Sequence, residues 1–276
     1  MNGLITNESA MVALTNLRSI NKDLSMVQNE ISTGKSISNA RDNAAIWAVA
    51  TVMQTDVDSF EGISDSLALG ASTVGVARGA AEQITSVLQE MKELIVSAQE
   101  ENVDTSKIQT DIDNLVDQIG SIVGAAQFNG LNLIDNADSV DFLASLDRAS
   151  DGTVTASTIA VTGVNLDTAA GGGLAAATAI DVETGAAAAL TSIETLIQTG
   201  IDAAASFGSA QRRIDIQNEF VTTLTDSMKS GISALTDADL EEASARLQSL
   251  QVQQQLGVQA LSIANQAPQS LLNLFR

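Results

Sequence analysis

Two apolar stripes, one near each end of the chain, constrain the fold more than anything else in the sequence. Near the N-terminus Ala10, Ala13, Leu17, Ile20, Leu24, Val27 and Ile31 are spaced alternately three and four residues apart, the spacing of a coiled-coil seam. At the other end Leu240, Ala243, Leu247, Leu250, Leu261, Ala264, Leu271 and Phe275 fall on one register, with Gln254, Gly257 and Pro268 as its weak points. An isolated helix is marginal in water, and ordering one residue costs about 1–2 kcal/mol of backbone entropy. Each Leu or Phe that loses its water returns about 1.5–3 kcal/mol, which reverses the balance only when many are buried together. The two ends are therefore expected to be disordered in a lone molecule and helical once a partner covers them. A chain that closes on Leu271, Leu272, Leu274 and Phe275 makes the same demand, since ends that nothing ties down usually fray and are polar.

Between the stripes the chain reads as helix, then an irregular acidic stretch, then helix again. Val87, Met91, Leu94 and Ala98 lie on one face of an amphipathic run. Ile108, Ile112, Leu115, Ile119, Ile122 and Ala126 form another, which stops at a turn carried by Asn129 and Gly130. From Asn136 to Gly185 the sequence is rich in Thr, Val, Gly and Asp with partial alternation, which predicts short strands and turns. No basic residue occurs between Arg148 and Arg212, so this segment is expected to be a solvated outer surface with little core to lose and to tolerate an insertion near Gly172. Helix resumes with Leu190, Ile193, Ile197 and Ile201, then Phe207, Ala210, Ile214, Val221, Leu224, Met228 and Leu235. Thr236 with Asp239 three residues later resembles a capping box that starts the last helix. The reading is a mainly α fold: a long antiparallel helical bundle or coiled coil with a small β-rich surface segment and paired terminal helices. Its expected parts are residues 1–40 with 237–276, 41–135 with 187–236, and 136–186.

Composition removes whole classes of function. The 34 acidic residues against 13 basic ones give a net charge of -21, and no cluster of Lys and Arg is present to neutralise phosphates, so a nucleic-acid partner is not expected. With no Cys and no His, disulfides, thiolate chemistry, most zinc sites and every His-based triad are excluded. Neither a catalytic residue nor a cofactor or metal site is expected. The N-terminal stretch lacks a basic start followed by an apolar run, so no secretory signal is expected, and no apolar stretch is long enough to span a bilayer.

The apparent motifs have plain structural readings. Gly34, Lys35 and Ser36 imitate the end of a phosphate-binding loop, but the Gly needed five positions before Gly34 is Asn29, which leaves a helix end or turn. Asn7, Glu8 and Ser9 form a chance glycosylation sequon at the start of a helical stripe. Asp111 with Asp113, and Glu241 with Glu242, point to different sides of a helix and do not converge on one atom. Trp47 is expected to pack against a neighbouring helix.

Four blocks in order carry a family resemblance. "LRSINKDLSMVQNEISTGKSISNARDNAAIWAVA", "MKELIVSAQEEN", "IGSIVGAAQFNGLNLID" and "LEEASARLQSLQVQQQLGVQALSIANQAPQSLLNLFR" are similar to bacterial flagellin, most of all to the alphaproteobacterial type, and cover roughly residues 4–135 and 205–276. The resemblance implies a structural subunit, not an enzyme, that self-assembles into the flagellar filament for swimming motility. It implies filament-core contacts through Leu17, Ile20, Leu24, Val27, Ile31, Leu247, Leu250, Leu261, Leu271 and Phe275, and a short outward segment at 136–185. It also implies passage through the flagellar export apparatus with a secretion chaperone, extracellular localisation, and hook-associated and cap proteins as partners. Flagellins that activate the innate flagellin receptor commonly show Gln-Arg followed by Val-Arg-Glu-Leu. Here Gln89, Glu93 and Leu94 are retained, Lys92 keeps the charge, and Glu90 replaces an Arg with a carboxylate. A hook-filament junction protein, which shares the terminal stripes, is the nearest alternative. A chemoreceptor coiled coil would need a membrane span or a long continuous heptad, and an enzyme would need chemistry that these residues do not supply.

Overall fold

The computed structural model of the chain describes residues 7–149 and 151–274, with side chains described as far as residue 266. The described residues form five helices: α1 (Glu8–Thr33), α2 (Ala44–Ser97), α3 (Thr105–Ala125), α4 (Val182–Thr236) and α5 (Leu240–Leu274). Between α3 and α4 lie the short strands β1 (Gln127–Phe128) and β2 (Leu131–Asn132), the longer β3 (Ser139–Arg148) and β4 (Val154–Thr162), and a 3-10 turn at Ala175–Ala179. This is the helical fold with a small β segment that the sequence predicts. The chain divides into two compact units, Met1–Val57 with Ser227–Arg276, and Asp58–Asp226.

In the first unit the α1 stripe packs as its spacing predicts. Val27 is buried and Ala10, Ala13, Leu17, Ile20, Leu24 and Ile31 are half-buried. From α5, Ala243 and Leu250 are buried and Leu247, Leu261 and Ala264 half-buried. Val27, Ala243 and Leu250 centre an apolar cluster flanked by Ile20, Leu24, Ile31 and Leu247. Two of the expected weak points turn out to fix the antiparallel register. Gln254 Nε2 donates to Asn21 Oδ1 at 2.7 Å, and at Gly257 a Cβ would stand only 3.3 Å from Leu17 Cδ1, so the missing side chain makes room for that Leu. Leu240 is exposed, contrary to expectation, because it is the first residue of α5 and precedes the seam. Leu271 belongs to α5 but its side chain is outside the described part, and Phe275 lies outside the described residues.

The caps explain the apparent motifs. Asn7 Oδ1 accepts from the Ala10 amide at 3.1 Å and Asn7 Nδ2 donates to the Ala264 carbonyl at 2.7 Å, so the sequon residue caps α1 and ties it to α5. Gly34 ends α1 at φ 68°, the left-handed cap that Gly adopts at little cost. The adjoining turn is held to the α4–α5 turn: Ser36 N donates to Thr236 O at 2.8 Å, and Ala238 N to Gly34 O at 3.0 Å. The capping box placed at Thr236 needs correction. Thr236 is the last residue of α4, its hydroxyl donating to Ile232 O at 2.9 Å, and the cap of α5 is Asp239, whose Oδ1 accepts from the amides of Glu241 and Glu242. The packing expected of Trp47 also needs correction, because its side chain is 39 % exposed. The inward stripe of α2 there is Ile46, Ala50, Met53 and Val57, and Trp47 stands one position off it.

In the unit Asp58–Asp226, α2 buries Ile63, Leu67, Ile84, Leu88, Met91 and Ile95, and α4 buries Ile193, Phe207, Ile214 and Val221. On α3 the buried residues are Ile108, Ile112, Val116, Ile119 and Val123, whereas Leu115 and Ile122 are half-buried. Val116 and Val123 continue a three-four spacing from Ile112 and Ile119 as well as Leu115 and Ile122 do, and the helix turns that second set inward. Ile201 and, in the first unit, Leu235 are likewise exposed members of the expected stripes. Asn129 (φ 50°) and Gly130 (φ 81°) make the two-residue turn between β1 and β2, where positive φ at both positions suits the strand twist.

The segment from 136 to 185 has more core than its sequence suggests. β3 and β4 pair antiparallel with a register shift between Leu143 and Ser145, and Gln217 Nε2 of α4 donates to the carbonyl of Ala144 at 2.9 Å. Phe142 lies over Gly70 of α2, where a Cβ would come within 2.7 Å of its ring. Phe142, Ile159, Val161, Leu166, Leu174, Ala177 and Ile180 are all buried. Gln109 of α3 clamps the entry to α4, donating to Ile180 O at 2.9 Å and accepting from Val182 N at 3.0 Å. Asp181 then caps α4. The Thr184 hydroxyl first, and then the Thr184 and Glu183 amides, hold its carboxyl below the usual carboxylate range. A carboxyl lowered on folding contributes stability that is complete above its unfolded pKa and lost as pH falls through the folded value. Carbon-detected NMR titration is therefore expected to show Asp181 titrating below an unstructured Asp, and Thr184→Val should raise its midpoint. An unchanged midpoint in that variant would remove the hydroxyl as the main cause.

Candidate functional site

Charge is divided unevenly between the two units. Asp58–Asp226 holds 25 of the acidic and 6 of the basic residues, a net -19, which leaves 9 acidic and 7 basic residues and a net -2 for the α1–α5 unit. Copies of the α1–α5 unit can therefore approach one another with little repulsion, and copies of the other unit cannot.

The nearly neutral unit is also the one whose helices leave large apolar side chains uncovered. Met11, Val12 and Met26 are exposed on α1, and Val252, Leu256 (57 %), Val258 and Ile263 (69 %) on α5. Beside the seam runs an open groove of about 450 Å³ floored by the small residues Ala13, Gly257, Ala260 and Ala264 and edged by Val12 and Leu256. Contiguous apolar surface on this scale marks an interaction site. Of the residues expected as filament-core contacts, the described ones, Leu17, Ile20, Leu24, Val27, Ile31, Leu247, Leu250 and Leu261, are brought together here and face the α1–α5 seam itself. The uncovered side chains were not picked out from the sequence, because a search for one inward stripe passes over the apolar residues on the other faces.

The receptor-like stretch lies on α2. Gln89, Glu90 and Glu93 are exposed and Leu94 is half-buried. Lys92 is held in an ion pair with Glu194 of α4, so the cation that matches the receptor pattern is already occupied. Asp111, Asp113, Glu241 and Glu242 are exposed, and Asp113 accepts from Gln109. Among the described residues no cluster of carboxylates could hold a metal ion, and no helix is long and apolar enough to cross a membrane.

A helical pair with an apolar seam and an uncovered apolar outer face is the architecture of a self-assembling structural subunit. The family described as the bacterial flagellin N-terminal helical region matches residues 4–139, and that described as the bacterial flagellin C-terminal helical region matches residues 190–275. The chain is 42 % identical to flagellin FljM of Caulobacter vibrioides, over 100 % of this chain and 99 % of that one. It is 39 % identical to a flagellin of Brucella melitensis and 35 % identical to flagellin C of Rhizobium meliloti, in both cases over the whole of each chain. The chain belongs to the bacterial flagellins, the structural subunits that polymerise with one another into the flagellar filament.

Proposed function

We propose that the α1–α5 unit packs in the inner wall of the filament and that the acidic unit lies outside it. The observation that carries this reading is the coincidence, in one unit, of a net charge near zero and an uncovered apolar face. Burying that face against neighbouring copies also covers the end of the chain at Leu271 and Phe275 and couples the folding of both termini to assembly. In this reading residues 1–40 with 237–276 form the filament core, 41–135 with 187–236 the surrounding helical layer, and 136–186 the outer surface.

The subunit is exported uncleaved through the flagellar apparatus with a secretion chaperone, assembles outside the cell, and meets hook-associated and cap proteins at the two ends of the filament. Family membership supports these steps. The carboxylate of Glu90 and the occupied Lys92 support weak activation of the innate flagellin receptor.

Electron microscopy and limited proteolysis test the reading together. The purified chain is expected to form filaments as salt rises, because screening over roughly 10 Å at 0.1 M weakens repulsion between the acidic units. Protease should remove roughly the first and last 40 residues from the monomer and spare them in the polymer. Equal protection in both forms would overturn the proposed burial of the ends.

A further inference from the structure

With no Cys in the chain, six Met side chains hold all of its sulfur. Met1 lies outside the described residues, and of the other five only two are open to solvent. Met91 is fully buried on α2, and Met53 and Met228 are half-buried, with Met53 against Gly231 of α4. Met11 and Met26 on α1 are 62 % and 45 % exposed. At 3.6 residues to a turn, both stand about 150° round the helix from the middle of the stripe that packs on α5. They belong to the uncovered apolar face of the nearly neutral unit and take no part in its seam.

A thioether on such a face suits burial, being apolar and adaptable, whereas its oxidised form does not. Hydrogen peroxide passes one oxygen to the sulfur: the O–O bond breaks, the sulfur gives up two electrons as the S–O bond forms, and the second oxygen leaves as water. The product is a polar, chiral sulfoxide. In the free subunit water solvates the new oxygen, and the helix pair is undisturbed because neither sulfur lies in the seam. Against a neighbouring copy the same oxygen must give up its water, a loss that an unaltered Met never meets.

We propose that Met11 and Met26 are the peroxide-sensitive modification sites of this chain, and that their oxidation holds a free subunit out of the polymer. The inference rests on the filament reading, which covers this face on assembly, and adds that oxidation acts before incorporation and not after it. The block is reversible, because methionine sulfoxide reductases return the thioether. Monomer and preformed polymer treated with hydrogen peroxide, then digested for mass spectrometry, locate the added oxygen. Met11 and Met26 are expected to gain it about tenfold faster in the monomer than in the polymer, and about tenfold faster than the buried Met91, since susceptibility follows exposure. The oxidised monomer should show a critical concentration raised by about tenfold or more, the effect of burying a polar group stripped of its water. Reductases for both sulfoxide epimers should restore it. Met11→Leu with Met26→Leu keeps the face apolar and is expected to polymerise alike with and without peroxide, and Met11→Gln with Met26→Gln to polymerise poorly without any peroxide. A monomer oxidised at both sites that polymerises like the untreated one overturns the inference alone, as does a Leu variant that peroxide still disables. An untreated wild-type chain that forms no polymer overturns the filament reading and the inference together. Equal oxidation of Met11 and Met26 in monomer and polymer does the same, because it removes the burial of this face on which both rest.

Discussion

A chain carrying Leu250→Asp is expected to form no filaments at concentrations where the wild-type chain polymerises fully, while the unit Asp58–Asp226 keeps its thermal transition. Leu250 is 7 % exposed and meets Val27 and Ala243 at the centre of the α1–α5 seam. Placing a carboxylate there without a partner costs several kcal/mol, and the nearest relief is for the two helices to part. Once they part, the groove floored by Ala13 and Gly257 and the outer face carrying Leu256 and Ile263 no longer exist as one surface. The cost recurs in every subunit, so the effect on a polymer is far larger than on a single fold. Leu250→Met, which conserves volume, should cost less than about 1.5 kcal/mol and leave filaments intact. Sedimentation with electron microscopy reads assembly, and calorimetry reads the acidic unit. Normal filaments from the Asp variant would mean that the α1–α5 pairing is dispensable for polymerisation.

The seam could be read from the sequence because its signal is local and periodic. Every residue of the α1 stripe falls on the inward side, and of the α5 members with described side chains only the first, Leu240, does not. Gln254 and Gly257 were legible as interruptions but not as register devices, since each acquires its role from a residue more than 200 positions away, Asn21 for one and Leu17 for the other. On α3 Ile108, Ile112, Ile119 and Ala126 were found but Val116 and Val123 were not, because they are as apolar as the neighbouring Leu115 and Ile122 and fit the same three-four spacing from Ile112 and Ile119. Trp47 misled because a large aromatic carries a strong expectation of burial and nothing local shows that the stripe runs through Ile46, Ala50 and Met53 instead. The exposed Ile216 and Phe220 were passed over for the converse reason: a pattern that seeks one buried face is silent about apolar residues on the opposite one.

The middle segment hid most from a local reading, and it gives the second large effect. The tip of the β3–β4 hairpin and the glycine run at 171–173 look alike in sequence, polar and flexible, and are expected to respond to an insertion in opposite ways. At Gly152 (φ 87°) nothing lies within 4 Å of where a side chain would begin. At Gly172 and Gly173 a Cβ would collide with the carbonyls of Asp167 and Asn165, and the backbone there is tied by Gly173 N to Asn165 O and by Leu174 N to Asp167 O, both at 3.1 Å. Leu174 and Ala177, which follow directly, are buried. An eight-residue polar tag placed after Gly152 should change the melting temperature of the acidic unit by no more than about 2 °C, since it adds only to a surface turn. The same tag after Gly172 withdraws Leu174 from the core, a loss of about 2–5 kcal/mol. For a unit of this size 1 kcal/mol moves the midpoint by about 2–4 °C, so a drop of about 10 °C is expected. Calorimetry on the two insertions decides it, and equal melting temperatures would show that the glycine run contributes nothing to the packing of the acidic unit.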